Sequence, residues 1–163
     1  MNRWSESMAE VRVSGAKWIE IFGLLGVVGS LAFVGVEIRQ STAVARGEAY
    51  QSFVSEINSV NLVVASDPML SAAWLTSVTR GTEELSEPDR QRVAMIASAY
   101  LRTYEGLLNQ VSTGVLPDDA LGLMSRGTWD VPIFQGLWSS RVFRSFFSDE
   151  FNRYFEATHG FAH

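Results

Sequence analysis

The apolar stretch Trp18–Val36 constrains this chain more than any other part of its sequence. It reads WIEIFGLLGVVGSLAFVGV, and Glu20 is the one charged residue in it. As a helix, these 19 residues would rise about 28 Å, close to the roughly 30 Å hydrocarbon thickness of a bilayer. We therefore predict a transmembrane helix at residues 18–36, here called the membrane segment, preceded by a polar N-terminal tail at residues 1–17.

Two other interpretations of this stretch remain open, a cleaved signal peptide and a buried helix of a soluble protein. A signal peptide has an apolar core of about 7–15 residues and a small-x-small cleavage box, whereas this stretch is longer and continues into Glu37-Ile38-Arg39-Gln40. A buried helix would be weakened by nearly 1 kcal/mol for each of its glycines. Because membrane helices carry glycine more often, we predict a retained single-pass anchor.

Small residues on one face of the membrane segment predict a helix-packing interface. Gly26 and Ser30 have small-x-x-x-small spacing, and Gly23 lies on the same face. Such faces let membrane helices approach closely, although glycine is common enough in these helices for the pattern to arise by chance. The predicted partner is a second copy of the chain or another membrane protein subunit.

The residues that flank the membrane segment are predicted to lie at the bilayer interface. Trp18, Glu20 and Arg39 occupy these positions, and Glu20 in the first turn faces the positive end of the helix dipole. Two basic residues, Arg39 and Arg46, closely follow the segment, whereas only Lys17 closely precedes it. The nearest charges therefore favour a cytoplasmic helical domain, while a count over the whole N-terminal tail favours the opposite orientation by one residue.

Helical periodicity fills the sequence after the membrane segment. A seam with coiled-coil-like spacing comes first, followed by helix starts at Asp67-Pro68 and Ser86-Glu87-Pro88-Asp89. The broadest apolar face extends from Val93 to Val111 and predicts the central helix of the domain. The seam consists of Tyr50, Phe53, Ile57, Val60 and Val64.

No segment alternates with the period of two that is typical of strands. We therefore predict an all-α fold, in which one N-terminal transmembrane helix continues into a bundle of about five helices. The helical domain covers residues 37–156, and residues 157–163 form a flexible tail.

Composition and motifs argue against several classes of function. The chain has 13 basic and 18 acidic residues, a net charge of −5 and no cysteine, so it offers neither a basic surface for nucleic acid nor a thiolate. Its only histidines, His159 and His163, flank Gly160 in the predicted tail. Motifs for phosphate binding and for an activated serine are absent. We expect no catalytic residue, no cofactor and no metal site.

Aromatic residues are concentrated between Trp129 and Phe155. Trp129, Trp138, Phe143 and Phe147 are predicted as a possible partner surface, because the cluster holds more rings than one face of two short helices needs. The alternative is that the cluster closes the core of the domain.

The junction at residues 36–42 reads VEIRQST, with Arg46 and Tyr50-Gln51 behind it. It resembles an uncharacterised bacterial family of small single-span proteins, in which an N-terminal transmembrane helix leads into "IRQ-[NS]-T", an arginine, "YQ" and a helical domain. Asp67-Pro68 and the closing FFSDEF at residues 146–151 are also similar. The resemblance covers residues 18–155 and implies topology and a bacterial inner-membrane location, without an activity.

These patterns favour a non-catalytic membrane protein that acts as an accessory or structural subunit of a membrane protein complex, or as a self-associating anchor. The main alternative is a membrane-tethered helical sensor with a closed cavity near Tyr104 and Trp138 for a small apolar ligand or lipid. An enzyme would require Arg102, Glu105 and another polar group to converge in an open cleft.

Overall fold

The computed structural model describes residues 3–124 and 126–161, with side chains for residues 17–124 and 127–161. Within those residues every regular element is a helix, so the predicted all-α fold is confirmed. The chain divides between Val44 and Ala45 into an N-terminal unit and a C-terminal unit.

The described residues contain seven α-helices and one 3-10 helix. The sequence predicted the long helices, but not α4 and α6, which have four residues each. The α-helices are α1 Arg3–Ser66, α2 Pro68–Arg80, α3 Glu87–Ser112, α4 Arg126–Trp129, α5 Pro132–Trp138, α6 Arg141–Arg144 and α7 Asp149–His159, and the 3-10 helix is Asp118–Leu123.

The predicted helix starts are confirmed by their capping hydrogen bonds. At the start of α2, Asp67 accepts hydrogen bonds from the N–H groups of Met69 and Leu70 at 2.9 and 3.2 Å. At the start of α3, the Ser86 hydroxyl accepts from the N–H of Asp89 at 3.3 Å. These contacts satisfy N–H groups that the helix itself leaves without partners.

The membrane segment lies in the N-terminal unit and exposes its apolar side chains. Every described side chain from Lys17 to Val44 is exposed. Among the described helices, α1 is the one that is long and apolar enough to cross a membrane, and its apolar window has no buried residue. A helix in the core of a soluble protein would instead be mostly buried.

The coiled-coil-like seam of α1 is used inside the C-terminal unit. Phe53 and Val64 are buried, and Ile57 and Val60 pack against the same apolar clusters. Val64 belongs to a cluster with residues of α2 and α3. Four of the five seam residues therefore belong to the domain core, whereas Tyr50 is exposed. The spacing showed that the helix has an apolar face but not which element covers it.

Helix α3 is the centre of the C-terminal unit, as its periodicity predicted. Five of its core side chains have only 0 or 1% of their surface exposed, and the helix contacts α2, α5 and the 3-10 helix. These side chains are Val93, Ala97, Leu101, Tyr104 and Leu107.

The prediction of a partner surface at Trp129, Trp138, Phe143 and Phe147 is wrong, because all four side chains are buried. The core alternative is right. Short helices fold back over α3, so that rings far apart in sequence pack together: Trp138 lies 4.4 Å from Phe155 between ring centroids. The cluster therefore serves the core of the domain.

The flexible-tail prediction is also wrong for residues 157–161. Helix α7 continues to His159 and ends at Gly160, whose positive φ of 74° suits a left-handed C-cap. Phe161 then stacks on Phe155 with 5.2 Å between ring centroids. This contact packs Phe161 against the aromatic core. Residues 162–163 lie outside the described residues.

Adjacent phenylalanines provide a direct test of this core. Phe147 is 6% exposed and Phe146 is 54% exposed. We expect Phe147→Ala to lower the free energy of unfolding by about 3–5 kcal/mol, because it leaves a cavity, and Phe146→Ala to change it by less than about 1 kcal/mol. Thermal and denaturant unfolding of both variants would check this, and equal losses would contradict the assigned packing.

Candidate functional site

The predicted helix-packing face is open in the N-terminal unit. A Cβ atom built on Gly23 or Gly26 would meet no other atom within 4 Å. Ser30 donates its hydroxyl hydrogen to the carbonyl of Val27 at 2.8 Å, so its polar group is satisfied inside the helix. Close approach of a second helix would therefore leave no hydroxyl unpaired.

Trp18, Glu20 and Arg39 are all exposed, as a position at the bilayer interface requires. The Trp18 and Phe22 rings lie 6.0 Å apart between centroids. Both the packing face and this interface assignment stay predictions.

A cleft of about 490 Å³ opens between α3 and the start of α7 in the C-terminal unit, and is here called the α3–α7 cleft. Its size falls within the range of small-molecule pockets. The lining residues are Arg102, Glu105, Gly106, Leu108 and Asn109 from α3, and Ser148, Glu150 and Phe151 from the start of α7.

Glu105 fixes the start of α7 against α3. One carboxylate oxygen accepts the N–H of Ser148 at 2.7 Å, and the other accepts from Arg102 at 3.4 Å. Ser148 in turn accepts the N–H of Phe151 through its hydroxyl at 3.2 Å. Arg102 and Glu105, three residues apart on α3, thus form an ion pair that is part of a clamp between two helices.

The same contacts define what the cleft can do chemically. Arg102, Glu105 and further polar groups do converge in an open cleft, as an enzyme would require. Yet both oxygens of Glu105 already accept from protein donors, and the guanidinium of Arg102 also lies 5.3 Å above the ring centre of Phe147. The pair is therefore arranged to hold helices and to present polar groups at the cleft wall.

A second polar cluster joins α3 to the end of α7 inside the aromatic core. The Tyr104 hydroxyl lies 3.2 Å from the Tyr154 hydroxyl and 3.3 Å from Nε2 of His159. Burial raises the pKa of Tyr104 above its usual value of 10.0, and the hydrogen bond with Tyr154 adds to the shift. Sequence reasoning missed this role of His159, although its spacing from Phe151 and Phe155 places it on one helix face.

The space predicted for an apolar ligand is filled by side chains. Tyr104 and Trp138 are each 1% exposed. Tyr104 stacks on Trp129 with 5.0 Å between ring centroids, and the Phe151 and Phe155 rings lie 5.8 and 6.2 Å away. Packing of this kind stabilises a core and gives no support to the sensor hypothesis.

The described parts of the chain hold no group of three or more metal-ligating side chains close enough to bind an ion. His163 lies outside those parts. No family model, curated protein or solved structure matches the chain. The resemblance to the bacterial single-span family therefore stays a prediction.

The clamp predicts different outcomes for two substitutions of Glu105. Glu105→Gln keeps an oxygen that can accept the Ser148 N–H, whereas Glu105→Leu leaves that N–H without its partner. We expect Glu105→Leu to destabilise the protein by about 0.5–1.5 kcal/mol, since water can reach the exposed Ser148 N–H, and Glu105→Gln by clearly less. Thermal unfolding would compare them, and equal destabilisation would show that the hydrogen bond to α7 contributes nothing.

The raised pKa of Tyr104 predicts how stability depends on alkaline pH. Below about pH 10 the phenol is neutral in both states, and above it the unfolded chain ionises first, so stability falls. Tyr104→Phe should cost about 0.5–1.5 kcal/mol at pH 7 and make the alkaline decline shallower. Unfolding at pH 7 and pH 10.5 would test this, with exposed Tyr50→Phe as the control; an unchanged decline would contradict it.

Proposed function

We propose that this chain is a non-catalytic, single-pass protein of the bacterial inner membrane. In this proposal it serves as an accessory or structural subunit of a membrane protein complex, or as a self-associating anchor. The observation that carries the proposal is the exposed apolar surface of the membrane segment in α1.

This exposure argues for a bilayer around the segment. Its large apolar side chains range from 46% exposed at Ile21 to 76% exposed at Ile19. Each Å² of apolar surface left in water costs roughly 25 cal/mol, and hydrocarbon removes that cost. The helical geometry of the segment satisfies its backbone hydrogen bonds internally, as a bilayer demands.

The course of α1 supports retention of the segment rather than cleavage. The helix has no break at Glu37–Gln40, where a signal peptide would be followed by a cleavage site. Farther along the same helix, Phe53 and Val64 belong to the core of the C-terminal unit. Arg39 and Arg46 support a cytoplasmic C-terminal unit by the positive-inside rule.

A role without catalysis is supported by how the polar groups are used. The carboxylate of Glu105 accepts a hydrogen bond from the N–H of Ser148 at the start of α7. The hydroxyl of Tyr104 is hydrogen-bonded to that of Tyr154 in the aromatic core. The exposed small-residue face of the membrane segment instead offers a surface on which a second transmembrane helix can pack. Association within the membrane is therefore the function that these features support best.

A pair of matched substitutions tests this proposal. Gly26→Leu adds a large side chain to the predicted packing face. Val28→Leu enlarges a side chain only slightly, and on the opposite face of the same helix. We expect the protein extracted in mild detergent to migrate as a dimer or larger complex, and Gly26→Leu, but not Val28→Leu, to dissociate it at least tenfold more readily.

Light scattering after size-exclusion chromatography, with mass spectrometry of co-purifying proteins, would measure the association. A wild-type protein that is monodisperse, monomeric and without a partner would contradict the proposal. A complex that survives Gly26→Leu unchanged would move the interface away from this face.

A further inference from the structure

Val142 and Phe146 form an exposed apolar patch beside the aromatic core, here called the α6 patch. Val142 is 69% exposed and Phe146 is 54% exposed. The helical turn of α6 continues to Phe147, whose N–H donates to the carbonyl of Arg144 at 3.1 Å. Residues four apart lie on the same side of such a turn. Phe143 and Phe147 are buried on one side, and the patch faces solvent on another.

Contacts with the core and with α7 hold the patch in place. The ring of Phe146 packs edge-on against that of the buried Phe143, with 6.4 Å between centroids. The side chain of Asn152 on α7 donates to the carbonyl of Arg144 at 3.2 Å, and Glu156 accepts from the guanidinium of Arg144 at 3.3 Å. The patch is therefore presented by an anchored turn, so that little ordering is needed when it binds.

Two exposed arginines border the α6 patch. Arg141 directly precedes Val142, and Arg153 directly follows Asn152, the residue of α7 that contacts this turn. Among the residues that the structure describes, no ion pair engages Arg141 or Arg153. Both guanidinium groups are therefore available to an anion from outside the chain.

The charge of this surface favours an anionic partner. The third arginine, Arg144, is paired with Glu156, and Asp149 lies one turn before Arg153 on α7. Glu150 instead lines the α3–α7 cleft. A positive excess remains around the patch although the chain has a net charge of −5. This surface therefore attracts negative headgroups more than the rest of the chain does.

The size of the patch indicates which kind of partner it fits. Its exposed apolar surface is on the order of 200 Å², far below the roughly 800 Å² that each partner contributes to a stable protein–protein interface. A bilayer does not require such an area, because an anchored protein meets the headgroups at a high effective concentration. Aromatic and basic side chains together are typical of surfaces that bind at the bilayer interface.

We propose that the α6 patch docks the C-terminal unit on the surface of the bilayer in which the chain is anchored, with anionic phospholipid as its ligand. Val142 and Phe146 enter the boundary between headgroups and acyl chains, and Arg141 and Arg153 bind lipid phosphates. The docking rests on the proposed membrane anchor and adds a second contact with the lipid.

Single-cysteine variants of the full chain in lipid nanodiscs test this docking, because the chain has no cysteine of its own. Ser145, Ser112 and Ser30 are matched positions, since each is an exposed serine whose hydroxyl donates to the carbonyl three residues earlier. Each serine is changed to cysteine and labelled with a fluorophore. Quenching by spin-labelled lipid is then measured in phosphatidylcholine with about 30% phosphatidylglycerol.

The three probes should differ in how strongly lipid quenches them. We expect strong quenching at Ser145 beside the patch and at Ser30 in the membrane segment. Quenching at Ser112, at the end of α3, should be at least about fivefold weaker, because the docked surface enters the lipid by only about 5–10 Å.

Substitutions in the patch test its chemistry with the probe at Ser145. We expect Phe146→Ala to lower the ratio of docked to undocked protein at least about fivefold, and Arg141→Gln to lower it about fivefold. Leu75→Ala removes another large side chain that is 62% exposed, on α2, and should leave the ratio unchanged. Quenching at Ser30 should be the same in all variants.

The docking is overturned if the probe at Ser145 is quenched no more than the probe at Ser112, or if Phe146→Ala and Arg141→Gln leave its quenching unchanged. It is also overturned if the probe at Ser145 is shielded from aqueous iodide without being quenched by lipid, because another protein would then cover the patch. Quenching at Ser30 alone would reject the docking and leave the anchor intact. An unquenched probe at Ser30 would reject the anchor, and the docking with it.

Discussion

Removing a large apolar side chain from water stabilises a protein by roughly 1.5–3 kcal/mol, and the two units of this chain meet that constraint in different ways. The C-terminal unit covers its aromatic rings with its own short helices, and Trp129, Trp138 and Phe155 are almost fully buried. The membrane segment Trp18–Val36 leaves its apolar side chains exposed. An apolar surface of this length requires hydrocarbon or another protein around it.

Helix α3 connects the packing of the C-terminal unit with its polar chemistry. One part of it buries Leu101 and Leu107 in the core, while Glu105 holds the N–H of Ser148 at the start of α7. Tyr104 bonds to residues of α7 farther along. Two separate polar contacts thus fix a helix of eleven residues, α7, which would be only marginally stable alone. The α3–α7 cleft keeps its shape because these contacts hold α7 against α3.

Local patterns in the sequence predicted the long helices but not the elements that pack against them. Asp67 and Ser86 identified helix starts because capping depends on residues within one turn. The periodicity of α1 revealed an apolar face at Phe53 and Val64, but nothing local states that the face packs within the same chain. Burial of Trp138 and the contact of His159 with Tyr104 depend on segments that are distant in sequence. Short helices are only marginally stable alone, so packing between distant segments decides where they form.

We propose that the membrane segment stays in the mature protein and crosses a bilayer. Carbonate extraction of native membranes, followed by mass spectrometric peptide mapping of the pellet, would test this. We expect the protein to resist extraction and the peptide Trp18–Val36 to be recovered with the C-terminal unit. Release of the protein into the supernatant, or a membrane-free form that lacks this peptide, would contradict it.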